Sequence, residues 1–85
     1  MITVDLVLRV GKLKGKGDLE EYDCFSLETH ESVNDCLKNF SELECNYAEL
    51  WLEMNHCSER FLISSFKKLI TKTNDGKKVR WILVD

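Results

Sequence analysis

The first ten residues alternate, with Ile2, Val4, Leu6, Leu8 and Val10 on one side of an extended chain and Thr3, Asp5 and Arg9 on the other. A period of two is the signature of a strand. The strand is predicted to stop at Gly11, because residues 11–18 hold three of the four glycines and read as a loop. A second strand is predicted over residues 21–28, with Phe25 and Leu27 on its apolar side, returning antiparallel to the first.

Across residues 29–43 the period lengthens. Val33, Cys36, Leu37 and Phe40 stand at i, i+3, i+4 and i+7, and Leu43 extends the stripe, which predicts one amphipathic helix. Thr29 or Ser32 can cap its free N–H groups, and Glu31 and Asp35 suit the positive end of its dipole.

Residues 47–62 fit two periods. Ala48, Leu50, Leu52 and Met54 alternate with Glu49, Trp51 and Glu53, as in a half-buried strand. Yet Tyr47, Leu50, Trp51, Met54, Ser58, Phe61 and Leu62 also follow a helical repeat, which could run uninterrupted to Lys72. Such a helix would be about twice the usual length. The strand is preferred, because its alternation is complete and Asn55, His56, Cys57 and Ser58 read as a turn.

Asn74, Asp75 and Gly76 separate β-branched stretches and predict a hairpin. Residues 60–68 before it are compatible with strand, helix or both in succession. The expected class is α+β, in one domain over residues 1–85. Its order is ββαβββ, an antiparallel sheet of four to five strands with one helix packed on a face. The alternative, ββαβαβ, places a second helix near residues 58–70.

Composition narrows the picture. Of 85 residues, 44% are hydrophobic and 32% charged, values that exclude a disordered or collagen-like chain. No apolar run approaches the roughly 20 residues of a membrane helix, and no basic-then-apolar leader is visible, so a cytoplasmic protein is expected. Cys24, Cys36, Cys45 and Cys57 never form a C-x-x-C pair, so reduced thiols acting as small hydrophobes are expected in preference to disulfides or a metal site.

The net charge of -3 hides a lopsided distribution. Residues 1–17 balance at +3, residues 18–59 at -11 and residues 60–85 at +5. A chain so divided is expected to carry an acidic and a basic surface, able to steer an oppositely charged partner. If Ala48, Leu50, Leu52 and Met54 face the helix, then Tyr47, Glu49, Trp51 and Glu53 face the other way, and Arg80 or Trp81 of the last strand joins one face or the other. Tyr47, Glu49, Trp51, Glu53, Arg80 and Trp81 are therefore the candidate partner-binding residues, aromatic anchors among carboxylates.

Catalytic chemistry finds little support. His30 and His56 sit in no recognisable local signature, and Glu49 and Glu53 on a strand stand about 13 Å apart, beyond the reach of a cooperating pair. No catalytic residue, cofactor or metal is expected. The loop with Lys12, Lys14 and Lys16 is a weak anion-binding candidate, because it lacks the G-K-[ST] end of a phosphate loop.

The expectation is a non-enzymatic inhibitor that occludes a basic surface on a protein partner. In size and acidity the chain resembles the small immunity proteins that neutralise nuclease toxins, or phage proteins that block a host factor. That resemblance lies in bulk properties, with no shared motif. One alternative is a nucleic-acid-binding accessory using the basic 11–17 loop and 67–80 hairpin, disfavoured by a pI of 5.4. Another is a homodimeric structural module. No membrane partner is expected.

Overall fold

A computed structural model describes residues 4–15, 17–27, 33–54 and 59–84. It contains β1 (Val4–Lys14), β2 (Asp18–Ser26), α1 (Val33–Lys38), β3 (Tyr47–Met54), β4 (Arg60–Thr73) and β5 (Gly76–Val84). The strands form one antiparallel sheet in the order β2-β1-β3-β4-β5. The element order is thus ββαβββ, and residues 60–73 are strand, which overturns the alternative of a second helix near residues 58–70. The turn read over residues 55–58 and the helix caps Thr29 and Ser32 lie outside the described residues.

Alternation sets the two sides of the sheet. Leu8 pairs with Leu50 and Val10 with Ala48, and directly paired residues point the same way. These four form a buried cluster with Phe66 of β4, Cys36 and Leu37 of α1, and Phe40 and Cys45 beyond it. The opposite side carries the other parity, in which Arg9 pairs with Glu49 and Val7 with Trp51. On the cluster side, Leu6 and Phe61 at its far end and Leu83 beside Phe66 remain exposed.

Three differences from the sequence reading have local causes. β1 does not end at Gly11 but runs to Lys14, turning through Gly15 and Gly17 at φ 48° and 95°. Gly11 instead marks a bulge. Val10 pairs with Asp23 and Gly11 with Glu21, leaving Tyr22 as the extra residue of β2. The backbones approach so closely there that a Cβ on Gly11 would overlap the Glu20 carbonyl.

The helix is shorter than the apolar stripe over residues 29–43 suggested. It ends at Lys38, and the chain continues in tighter turns: Asn39 N–H donates to Cys36 O, Phe40 N–H to Leu37 O and Ser41 N–H to Lys38 O. Carbonyls of the turns that follow the helix point toward Lys68 of β4. Its Nζ donates to Phe40 O at 2.7 Å, Ser41 O at 3.3 Å and Leu43 O at 2.6 Å. The cation therefore holds the turns after the helix and ties them to the sheet.

Asn46 makes a second tie. Its N–H donates to Gly11 O, its Oδ1 accepts from Leu13 N–H, and its carbonyl accepts from Lys68 N–H. It thereby joins the β1–β2 hairpin to the β4–β5 hairpin at the end where β3 begins.

Candidate functional site

The side of the sheet opposite the buried cluster is a connected layer of charges and one indole. Arg9 Nε donates to Glu21 Oε1 at 2.8 Å, and its Nη1 donates to Glu49 Oε1 at 3.3 Å. The same Glu49 oxygen accepts from Trp51 Nε1 at 3.2 Å. The Arg60 guanidinium lies 5.1 Å from the centroid of the Trp51 ring, a cation–π contact, and 3.7 Å from Glu53 Oε1. A chain of contacts thus crosses β2, β1, β3 and β4 in the order Glu21, Arg9, Glu49, Trp51, Arg60, Glu53.

These side chains lie along the sheet, with the Glu49 side chain only 14% exposed. The hydrogen bond that Arg9 donates to Glu21 raises the Arg9 pKa, against a smaller opposing effect of burial, so the guanidinium stays charged. Glu49 is held by two donors and cannot reorient without releasing both, which makes it a fixed acceptor. Within this chain of contacts, Glu21, Glu49 and Glu53 against Arg9 and Arg60 leave one negative charge in excess. Such a surface can present acceptors and an aromatic plane to an incoming cation.

Of the residues singled out from sequence, Tyr47, Glu49, Trp51 and Glu53 share this side. Arg80 also belongs to it by parity, but it pairs with Leu69, beyond the row formed by Tyr47, Lys67 and Ile82. Trp81 is on the opposite side. It packs against the buried cluster, with Lys68 Nζ 5.4 Å from its ring centroid, and its buried Nε1 has no hydrogen-bond partner among the described residues. Arg80 and Trp81 therefore cannot serve one surface together. Arg9, Glu21 and Arg60 complete the layer, and sequence reasoning passed over them. Parity alone could have placed Arg9 opposite Leu8, but its partners depend on the register of strands far apart in the chain.

The basic loop is arranged differently from a free anion site. Lys12 Nζ donates to Glu44 Oε2 at 2.8 Å, and Lys14 Nζ lies 3.1 Å from Glu20 Oε2. Lys16 lies outside the described residues, as do His30, His56 and Cys57. A cavity of about 360 Å³ beside Lys12 is lined by Glu20, Glu21, Tyr22 and Glu44, so its carboxylates repel an anion. Cys45, which also lines it, is buried, and burial pushes its thiol pKa up. Cys24 is exposed, in contrast to the small-hydrophobe role expected of the cysteines.

The Lys12–Glu44 pair carries a pH signature. Its hydrogen bond lowers the Glu44 pKa below the ordinary 4.5 and raises that of Lys12 above 10.5. Its contribution to stability is therefore full between those values. It is lost as pH falls through the depressed carboxyl pKa or rises through the elevated ammonium pKa. Glu44→Gln should melt below the parent near neutrality and coincide with it in acid. A difference that persists below the Glu44 transition would contradict the pairing.

No helix among the described residues is long and apolar enough to cross a membrane. Comparison with protein-family models, with curated proteins and with solved structures finds no match to this chain. Its functional assignment rests on the residues themselves.

Proposed function

We propose that the protein is a non-enzymatic, cytoplasmic binding module that occludes a basic surface on a protein partner, acting as an inhibitor. The observation that carries this reading is the layer around Trp51. An indole and carboxylates are held along one side of the sheet by internal hydrogen bonds and a cation–π contact, with one negative charge to spare. Preorganisation of this kind lowers the entropy cost of binding. Cys36 and Leu37 of α1 join the buried cluster on the other side, and in this reading the Trp51 side receives the partner. An arginine or lysine of that partner would compete with Arg60 for the Trp51 ring and Glu53, so recognition exchanges one cation–π contact for another.

The test starts from affinity capture of basic proteins from the native host on the immobilised chain, followed by titration of each retained protein. Trp51→Ala combined with Glu53→Lys is expected to weaken binding about 50-fold, in the range of a central aromatic anchor plus a reversed charge. The melting temperature should change by only a few degrees. Equal affinity in the double variant, or collapse of its fold, would overturn the reading.

A further inference from the structure

The ion pairs divide the cations of this chain into two groups. Among the described residues, Arg9, Lys12, Lys14, Lys38 and Arg60 each have a carboxylate partner. Lys68 is engaged with three carbonyls. The five cations left without such a partner are Lys67, Lys72, Lys77, Lys78 and Arg80, all on the β4–β5 hairpin. Asp75, at its turn, is the one acid within it.

The same hairpin projects from the sheet. β3 pairs with β4 no further than Lys67, and among the described residues the last hydrogen bond from β4 to the rest of the chain is made by Lys68. At the base of β5, Val79 and Arg80 adjoin Asn34, Asp35 and Lys38 across a cavity. From Leu69 to Thr73 the pair continues as a two-stranded ribbon, closed by Thr73 opposite Gly76. Five residues at the usual rise extend it by roughly 17 Å. Every residue from Leu69 to Lys78 is exposed. Register places Lys72 with Lys77 on one face of the ribbon, and Lys78 and Arg80 on the other.

We propose that this ribbon is an arm that binds duplex nucleic acid by entering a groove and neutralising phosphates on both walls. The major groove admits a two-stranded ribbon. Cations on both faces suit a body flanked by phosphate on two sides, whereas a flat membrane or one protein surface would engage a single face. The tip carries Thr71, Thr73 and Asn74, which can hydrogen-bond to phosphates and base edges, and no aromatic wedge to insert into lipid. The arm is separate from the Trp51 layer, so this proposal stands independently of the protein-binding reading. Because the rest of the chain is acidic, attraction is confined to the arm, and binding is expected to be sequence-independent with micromolar affinity at low salt.

The experiment is fluorescence anisotropy of a labelled DNA duplex of about 20 base pairs, with the full chain, across a salt series from about 50 mM. Vesicles of phosphatidylserine and phosphatidylcholine form a second arm. Five phosphate contacts would give a slope of log K against log salt near about -4.5. K72Q/K77Q/K78Q should make that slope shallower by about 2.7 and weaken binding at least about 30-fold. K12Q/K14Q/K38Q removes the same charge from paired positions and should cost less than about fivefold. Absence of duplex binding at the lowest salt would overturn the proposal. So would equal losses in the two triple variants, or tighter binding to vesicles than to duplex.

Discussion

Gly11→Ala is expected to lower stability by about 3 kcal/mol, the upper range for forcing atoms into a packed position. For a chain of this size that is a melting-temperature loss of roughly 15 °C. The cause is steric. A Cβ on Gly11 would overlap the Glu20 carbonyl oxygen and lie 2.8 Å from the Glu20 carbonyl carbon. Both are backbone atoms of β2, so no side-chain rotation relieves the clash. Relief requires the β1–β2 pair to separate at the bulge, where Gly11 also accepts from Asn46 N–H. Gly15→Ala is the matching control: its φ of 48° is mildly unfavourable for alanine, but nothing lies within 4 Å of the added carbon. That variant should lose only about 1 kcal/mol. Chemical denaturation of both variants decides the matter, and equal losses would show that backbone freedom, rather than the contact with β2, is what Gly11 supplies.

The second large effect is expected at Lys68. Lys68→Met keeps an apolar stem of similar length but removes the ammonium that three carbonyls share. Hydrogen bonds to a charged group contribute about 1.5–3 kcal/mol each, but they are not additive around one nitrogen, so a loss of about 3 kcal/mol is expected in total. Burial lowers the Lys68 pKa, which shows the desolvation that its three acceptors must offset. The effect should also be local. Hydrogen exchange at the amides of Asn39, Phe40, Ser41 and Leu43 should accelerate first, because their bonds form the turns that Lys68 holds. Lys68→Arg should recover part of the stability, since a planar fork cannot meet three convergent oxygens as an ammonium does. A loss below about 1 kcal/mol, spread evenly over the chain, would mean that the ammonium is dispensable.

The parts of the fold legible in the sequence are those whose period is set by one buried side. Leu8 and Val10 in β1, and Ala48 and Leu50 in β3, alternate because every second residue enters the cluster. The stripe of Val33, Cys36, Leu37 and Phe40 was legible for the same reason, since all four contribute to or pack against that cluster. The helix end was not, because the turns that follow it are held by Lys68, thirty residues beyond Lys38 in the chain. β4 resisted reading at Phe61, Leu62 and Ile63, three apolar residues in succession. The register shifts there: Leu50 pairs with Ser64 and Trp51 with Leu62, so Ile63 is the extra residue and the alternation slips by one. Gly11 read as an end because a glycine stops a strand and permits a bulge equally well.

The candidate surface divides along the same line. Parity within β3 puts Tyr47, Glu49, Trp51 and Glu53 together on one side. The residues that hold them, Arg9, Glu21 and Arg60, follow from register across four strands, a long-range property. In β5 both parities are apolar, so nothing local says whether Trp81 or Ile82 turns toward the cluster.

The strand order has one more implication. β1–β2 is a hairpin and β3–β4–β5 a meander, and among the described strands the two halves pair along the β1–β3 seam, joined through the long stretch between Ser26 and Tyr47. That tether is long enough for the β1–β2 hairpin of one molecule to dock on the β3 strand of another without any new contact being invented. Variants that loosen the β1–β3 pairing should therefore populate a hairpin-exchanged dimer on concentrated refolding, in which each copy completes the other's sheet.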